Sequence, residues 1–134
     1  MTEKSLRDLA IDASTRSHSP YSKAKVGSAI VMEDGAVYQG CNIENASYGG
    51  TVCAERVAIW KAVSEGHKKI KKVYVYTEAG WPPCGMCLQV MTEFASGDLE
   101  IVMGDKTGKE NSKKIKELLL TPLLPITCSL SNFI

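Results

Sequence analysis

Aromatic side chains are scarce in this 134-residue chain, at 7%, with two phenylalanines and two tryptophans. Net charge is nearly absent as well, because sixteen Lys and Arg against fifteen Asp and Glu leave only +1. Polynucleotide binding rests on many uncompensated phosphate contacts, so no nucleic-acid partner is expected. No apolar run approaches the ~20 residues that span a bilayer, so no membrane partner is expected either. The start, Met1-Thr2-Glu3-Lys4-Ser5, is polar and leads into helical spacing at Leu6, Leu9, Ala10 and Ala13, unlike a signal peptide. The expected location is therefore cytoplasmic, in a reducing compartment. There the five cysteines read as ligands, nucleophiles or core residues and not as disulfides. Internal repeats, low-complexity tracts and linkers are also missing.

What remains is ordinary globular material, 44% hydrophobic and 23% charged. A chain this long can bury about two-thirds of its unfolded surface, so residues 1–134 are expected to form one domain. Apolar positions predict an amphipathic helix over 3–17, stopped by His18-Ser19-Pro20-Tyr21. Strands are predicted at Val26–Met32 and Val37–Cys41, joined by a hairpin at Glu33-Asp34-Gly35. A polar loop over 42–50 precedes a helix from Cys53 to Glu65 with Gly66 as its stop. A β-branched and aromatic run predicts a strand at Val73–Thr77. Trp81-Pro82-Pro83 then breaks the chain before a helix over Cys84–Phe94, a strand at Leu99–Met103 and a short helix at Lys113–Leu119. Strands alternating with helices imply parallel pairing beside the antiparallel hairpin. The fold class is α/β, one mixed sheet covered by helices.

Pro83-Cys84-Gly85-Met86-Cys87 puts two cysteines three apart at a helix start. Orphan N–H groups and the positive end of the dipole favour thiolates there. Alone, the pair is compatible with a zinc site, a redox dithiol or chance spacing. Cys53 also opens a predicted helix, and a third thiolate would leave one of zinc's four positions free for water. Glu55, two residues on, could reach that water and carry its proton without binding metal. A Cys-x-Glu followed by Pro-Cys-x-x-Cys is the signature of zinc nucleobase deaminases.

At this point the chain resembles the small zinc-dependent cytidine deaminases of pyrimidine salvage. The likeness runs through Pro20-Tyr21-Ser22, Val26-Gly27, Gly40 to Tyr48, Cys53-Ala54-Glu55-Arg56, Pro83-Cys84-Gly85 with Cys87, and Leu123-Leu124-Pro125. It implies a three-layer α/β/α fold with a five-stranded mixed sheet. It also implies hydrolysis of cytidine and 2′-deoxycytidine to the uridines and ammonia. By this resemblance Cys53, Cys84 and Cys87 hold one Zn²⁺ per subunit, and Glu55 is the general acid and base. Ala54 contacts the amino end of the pyrimidine through its backbone, and Arg56 hydrogen-bonds the thiolates. Asn42 and Glu44 bind the ribose hydroxyls, and Ala46 and Tyr48 complete a neighbour's site in a homotetramer.

Several positions depart from that pattern. Ala24 stands where relatives carry a phenylalanine that packs on the base, and Leu88 where many carry arginine. Ile126-Thr127-Cys128-Ser129 lacks the aromatic that often follows Leu-Leu-Pro. Trp81 is an unusual neighbour of the metal motif, expected in a core or interface but able to supply some stacking. The changed base contacts keep open another aminopyrimidine substrate, such as blasticidin S or an N4-modified cytidine. Two other classes are weaker. A structural zinc module lacks a suitably spaced fourth Cys or His, and a thiol redox protein leaves Cys53-Ala54-Glu55 without a role. The basic run His67, Lys68, Lys69, Lys71 and Lys72 is expected to be a solvated turn. Met86 and Met91 are expected to pack, and Cys41 and Cys128 to act as small apolar groups.

Overall fold

Period-two alternation in the central strands places one set of side chains on each face of a sheet. In the computed structural model, which describes residues 3–124, β1 spans Gly27–Met32, β2 Val37–Cys41, β3 Ile70–Tyr76, β4 Ala95–Gly104 and β5 Glu110–Lys114. Their order is β2-β1-β3-β4-β5, with β3 and β4 parallel and the other neighbouring pairs antiparallel. On one face Ala29, Tyr74 and Val102 pack against Leu6 and Ala10 of α1, Glu3–Ser14. On the other, Ile30, Val73, Val75, Ile101 and Met103 pack against α2, Ala54–Ser64, and α3, Gly85–Phe94. A single turn, α4 at Ile115–Leu118, closes that second layer. The three-layer α/β/α arrangement with a five-stranded mixed sheet is therefore present.

The differences from expectation have local causes. Helix α1 ends at Ser14 instead of 17, because the hydroxyls of Ser14 and Thr15 bond the carbonyls of Ile11 and Asp12. Strand β3 begins at Ile70, so Lys71 and Lys72 lie within a strand and not a turn, with Lys72 3.2 Å from Glu100. Strand β4 is ten residues long and starts directly after α3. The predicted helix from Lys113 is corrected to β5 followed by α4. Glu110-Asn111-Ser112-Lys113-Lys114 has no apolar alternation, and it pairs with β4 as an exposed edge strand. Ile126 and Cys128 lie outside the described residues.

The two helix layers lie close to the sheet because glycines leave room. A Cβ on Gly27 would fall 1.8 Å from the carbonyl oxygen of Ala10, and one on Gly40 would fall 2.4 Å from that of Ala54. Gly40 thus sets the distance between β2 and the first turn of α2. Overpacking normally costs about 1–3 kcal/mol, and backbone atoms cannot swing aside. Gly40→Ala is expected to lower unfolding free energy by about 3 kcal/mol or more in urea titrations. Gly49→Ala, with nothing within 4 Å of its added carbon, should stay within about 0.5 kcal/mol of the parent.

Candidate metal centre

Two helices begin at the same place, and each begins with a cysteine. Cys53 is the N-cap of α2, Cys84 is the N-cap of α3, and Cys87 lies in the first turn of α3. The loop before α2 is tied down by bridges from Ile43 to Val52 and to His18. The approach to α3 is fixed by Thr77, whose hydroxyl accepts the Trp81 N–H at 2.7 Å, and by the Pro82-Pro83 pair that follows. These restraints bring the three sulfurs within 4.8 Å of one another, with Cys53 and Cys84 3.6 Å apart. Tetrahedral zinc with bonds of about 2.3 Å requires sulfurs about 3.8 Å apart, so the cluster fits a Zn²⁺ ion.

The charge distribution also suits a cation. A bond from the Cys87 thiol, aided by the Arg56 guanidinium, pulls Cys53 down to about 5. Cys87, the donor of that bond and buried, is pushed up. Arg56 donates to the Cys53 sulfur at 3.4 Å and to the Met86 sulfur at 3.0 Å, and stacks over Trp60. Burial opposes the Arg56 charge, but the Cys53 and Cys87 sulfurs outweigh it and raise its pKa. Leu88 points into the core beneath α3, so among the described residues Arg56 is the guanidinium that serves the sulfurs. Met86 is exposed and bonded to Arg56, a correction to its expected packing role, whereas Met91 is buried.

A cavity of about 250 Å³ opens over the cluster, with Cys53, Cys84, Ala54 and Glu55 in its lining. Glu55 is 3% exposed, and burial, with the Cys53 charge adding, pushes its carboxyl up to about 7. That suits a group which must both accept and return a proton near neutrality. Asn42 and Glu44 also line the cavity, along with Val26, Thr77 and Trp81. The Asn42 amide donates to the Ala24 carbonyl at 2.8 Å and accepts from Val26 N–H at 2.9 Å and from the Ser17 hydroxyl. Glu44 accepts from the Tyr21 and Ser22 amides and the Ser22 hydroxyl, and its pKa is lowered chiefly by that hydroxyl.

The remaining residues named from the sequence are nearby but outside this lining. Ala24 faces an adjoining cavity of about 320 Å³. Tyr48 shares an open cleft with Tyr21, Glu44 and Thr51, and Ala46 is exposed on the same loop. Thr77 was not anticipated, although it follows the carboxyl end of a parallel strand, where ligand crevices form in α/β sheets.

A family described as the cytidine and deoxycytidylate deaminase zinc-binding region matches residues 1–104. A cytidine deaminase of Halalkalibacterium halodurans is 42% identical over 127 residues, 93% of this chain and 92% of that protein. The crystal structure of a Burkholderia pseudomallei cytidine deaminase superposes with a TM-score of 0.87 at 38% identity, covering 92% of this chain and 100% of that one. The Mycobacterium tuberculosis cytidine deaminase structure gives 0.79 at 31% identity, covering 91% and 97%.

Zinc content tests the centre directly. One zinc per chain is expected by atomic absorption, with Cys84→Ser and Cys87→Ser losing it and Glu55→Gln retaining it. Arg56→Ala should speed zinc transfer to a chromophoric chelator by about tenfold or more, the usual scale for removing a group that supports metal ligands.

Proposed function

Because the chain belongs to the cytidine and deoxycytidylate deaminase family, we propose that it deaminates cytidine and 2′-deoxycytidine to uridine and 2′-deoxyuridine, with release of ammonia. The observation that carries this reading is three convergent thiols beside a buried carboxylate, in a cavity reached by Asn42 and Glu44. Cys53, Cys84 and Cys87 would hold the zinc ion, which when bound would lower the pKa of a water towards ~7 and so make a nucleophile available at neutral pH.

The chain's own residues handle the protons. Glu55 takes one as water attacks the ring carbon that bears the amino group, and passes it to the adjacent ring nitrogen. It then takes the second water proton from the hydroxyl now on that carbon and delivers it to the amine as the C–N bond breaks and the carbonyl forms, because an amide anion is a very poor leaving group. The Ala54 backbone meets the amino end of the base. Asn42 and Glu44 supply a donor and acceptors suited to two vicinal hydroxyls. Arg56 offsets the charge of the thiolates.

We read residues 1–134 as one catalytic domain, supported by the single sheet that both helix layers share. We assign it to the cytoplasm, where thiols such as Cys53, Cys84 and Cys87 stay reduced. No helix among the described residues is long and apolar enough to cross a membrane. A homotetramer is supported by the aromatic surface beside the site, where Tyr48 is 78% exposed and stacks edge-on with Tyr21. The cavity beside Ala24 favours a second reading, the same reaction on a larger aminopyrimidine such as blasticidin S or an N4-modified cytidine.

Loss of cytidine absorbance should require metal, stop on chelation and return with added zinc; a rate that survives full demetallation would sink the proposal. Free cytosine, which lacks the sugar, should show kcat/KM lower by about a hundredfold or more. Light scattering should report four chains, and a fully active monomer would exclude shared sites. Side-by-side rates on cytidine and blasticidin S separate the two substrate readings.

A further inference from the structure

Ala24 lines a space that adjoins the metal cavity, and Trp81 lines both. Among the described residues that line the metal cavity, Trp81 is the single aromatic. Its backbone is fixed on one side by the Thr77 hydroxyl and on the other by two prolines that lead into the ligand Cys84. The indole is therefore three residues before Cys84 and carried on a stiff segment, although it is 57% exposed. Trp81 also lines the cavity beside Ala24, and Val26 and Thr77 likewise line both. A methyl group at 24 leaves that second space open, with Ser22, Lys23, Lys25 and Glu78 offering polar groups in its lining.

We infer that Trp81 is the base-packing and specificity-determining residue of this site, and that the space beside Ala24 admits a substituent on the pyrimidine ring. This rests on the deaminase reading above. An exposed indole 57% open to water gains apolar burial when a nucleobase covers it, and stacking is indifferent to which pyrimidine is present. With Trp81 as the stacking face, the small side chain of Ala24 leaves the adjoining space unfilled beside the base. The substrate class so defined is cytosine nucleosides that carry a small ring or amino substituent as well as cytidine itself. With N4-methylcytidine the reaction consumes water and yields uridine and methylamine. With 5-hydroxymethylcytidine it yields 5-hydroxymethyluridine and ammonia.

The test combines kinetics with fluorescence on the zinc-loaded protein. Trp81→Ala is expected to raise KM for cytidine about tenfold or more, with kcat changed much less, and Trp81→Phe to restore most of the loss. Trp60→Phe keeps a ring beneath Arg56 and leaves Trp81 as the one indole. Its emission should change saturably as uridine is added. Ala24→Phe should lower kcat/KM for N4-methylcytidine or 5-hydroxymethylcytidine at least about tenfold relative to cytidine, and the affected probe identifies which ring position faces the space. A cytidine KM within twofold of the parent in Trp81→Ala, or saturable uridine binding with unchanged indole emission, overturns the assignment of Trp81. Unchanged ratios for both probes in Ala24→Phe overturn the assignment of the space. A zinc-loaded parent that turns over none of the three nucleosides overturns the deaminase reading itself.

Discussion

Three sulfur atoms gathered within 4.8 Å of one another, which would act as thiolates towards a metal, set the tightest constraint on this site. Two unit charges at such a distance repel by about 4 kcal/mol at an effective dielectric of 20. A helix N-terminus returns at most about 2 kcal/mol in a favourable, partly buried geometry. Two helix starts and one guanidinium therefore reduce the repulsion without removing it, and a divalent cation is needed to balance the cluster. Helices α2 and α3 start at a common point because Gly40 lets α2 approach β2 and because the Thr77–Trp81 turn delivers Cys84 to the same level.

Much of the centre was legible in the sequence because its chemistry depends on spacing along single helices. Cys53 with Glu55, and Cys84 with Cys87, each lie within one turn, so residue type and interval carry the information. The hairpin and the apolar strands were legible for the same reason, since alternation is local. Strand β5 was not, because Glu110 to Lys114 becomes a strand only through hydrogen bonds to β4 and buries almost nothing of its own. The partner of Met86 was equally hidden, since Arg56 lies thirty residues earlier in the chain. Thr77 and Trp81 reach the cavity through a turn held by the Thr77 hydroxyl and by the Gly80 and Lys106 amides, contacts that no residue interval announces.

Leu88 and Arg56 divide two tasks around α3. Leu88 joins the core below α3, adding apolar contact to the helix that presents two sulfurs. The sulfur-directed hydrogen bonds then fall to Arg56, whose guanidinium also meets Met86 and the face of Trp60. Stability of α3 and charge compensation at the metal are thereby assigned to separate residues.

Asn42 combines what those residues divide. Its side-chain amide already joins Ser17, Ala24 and Val26, which brace the segment leading into β1, and it faces the cavity at the same time. Truncating it would leave the Val26 N–H and the Ala24 carbonyl without partners, so a higher KM could not be attributed to a missing substrate hydroxyl alone. The Michaelis constant of any variant at this position is thus also a measure of how well the 17–26 segment stays docked, and substrate affinity and local order are, at this residue, the same variable.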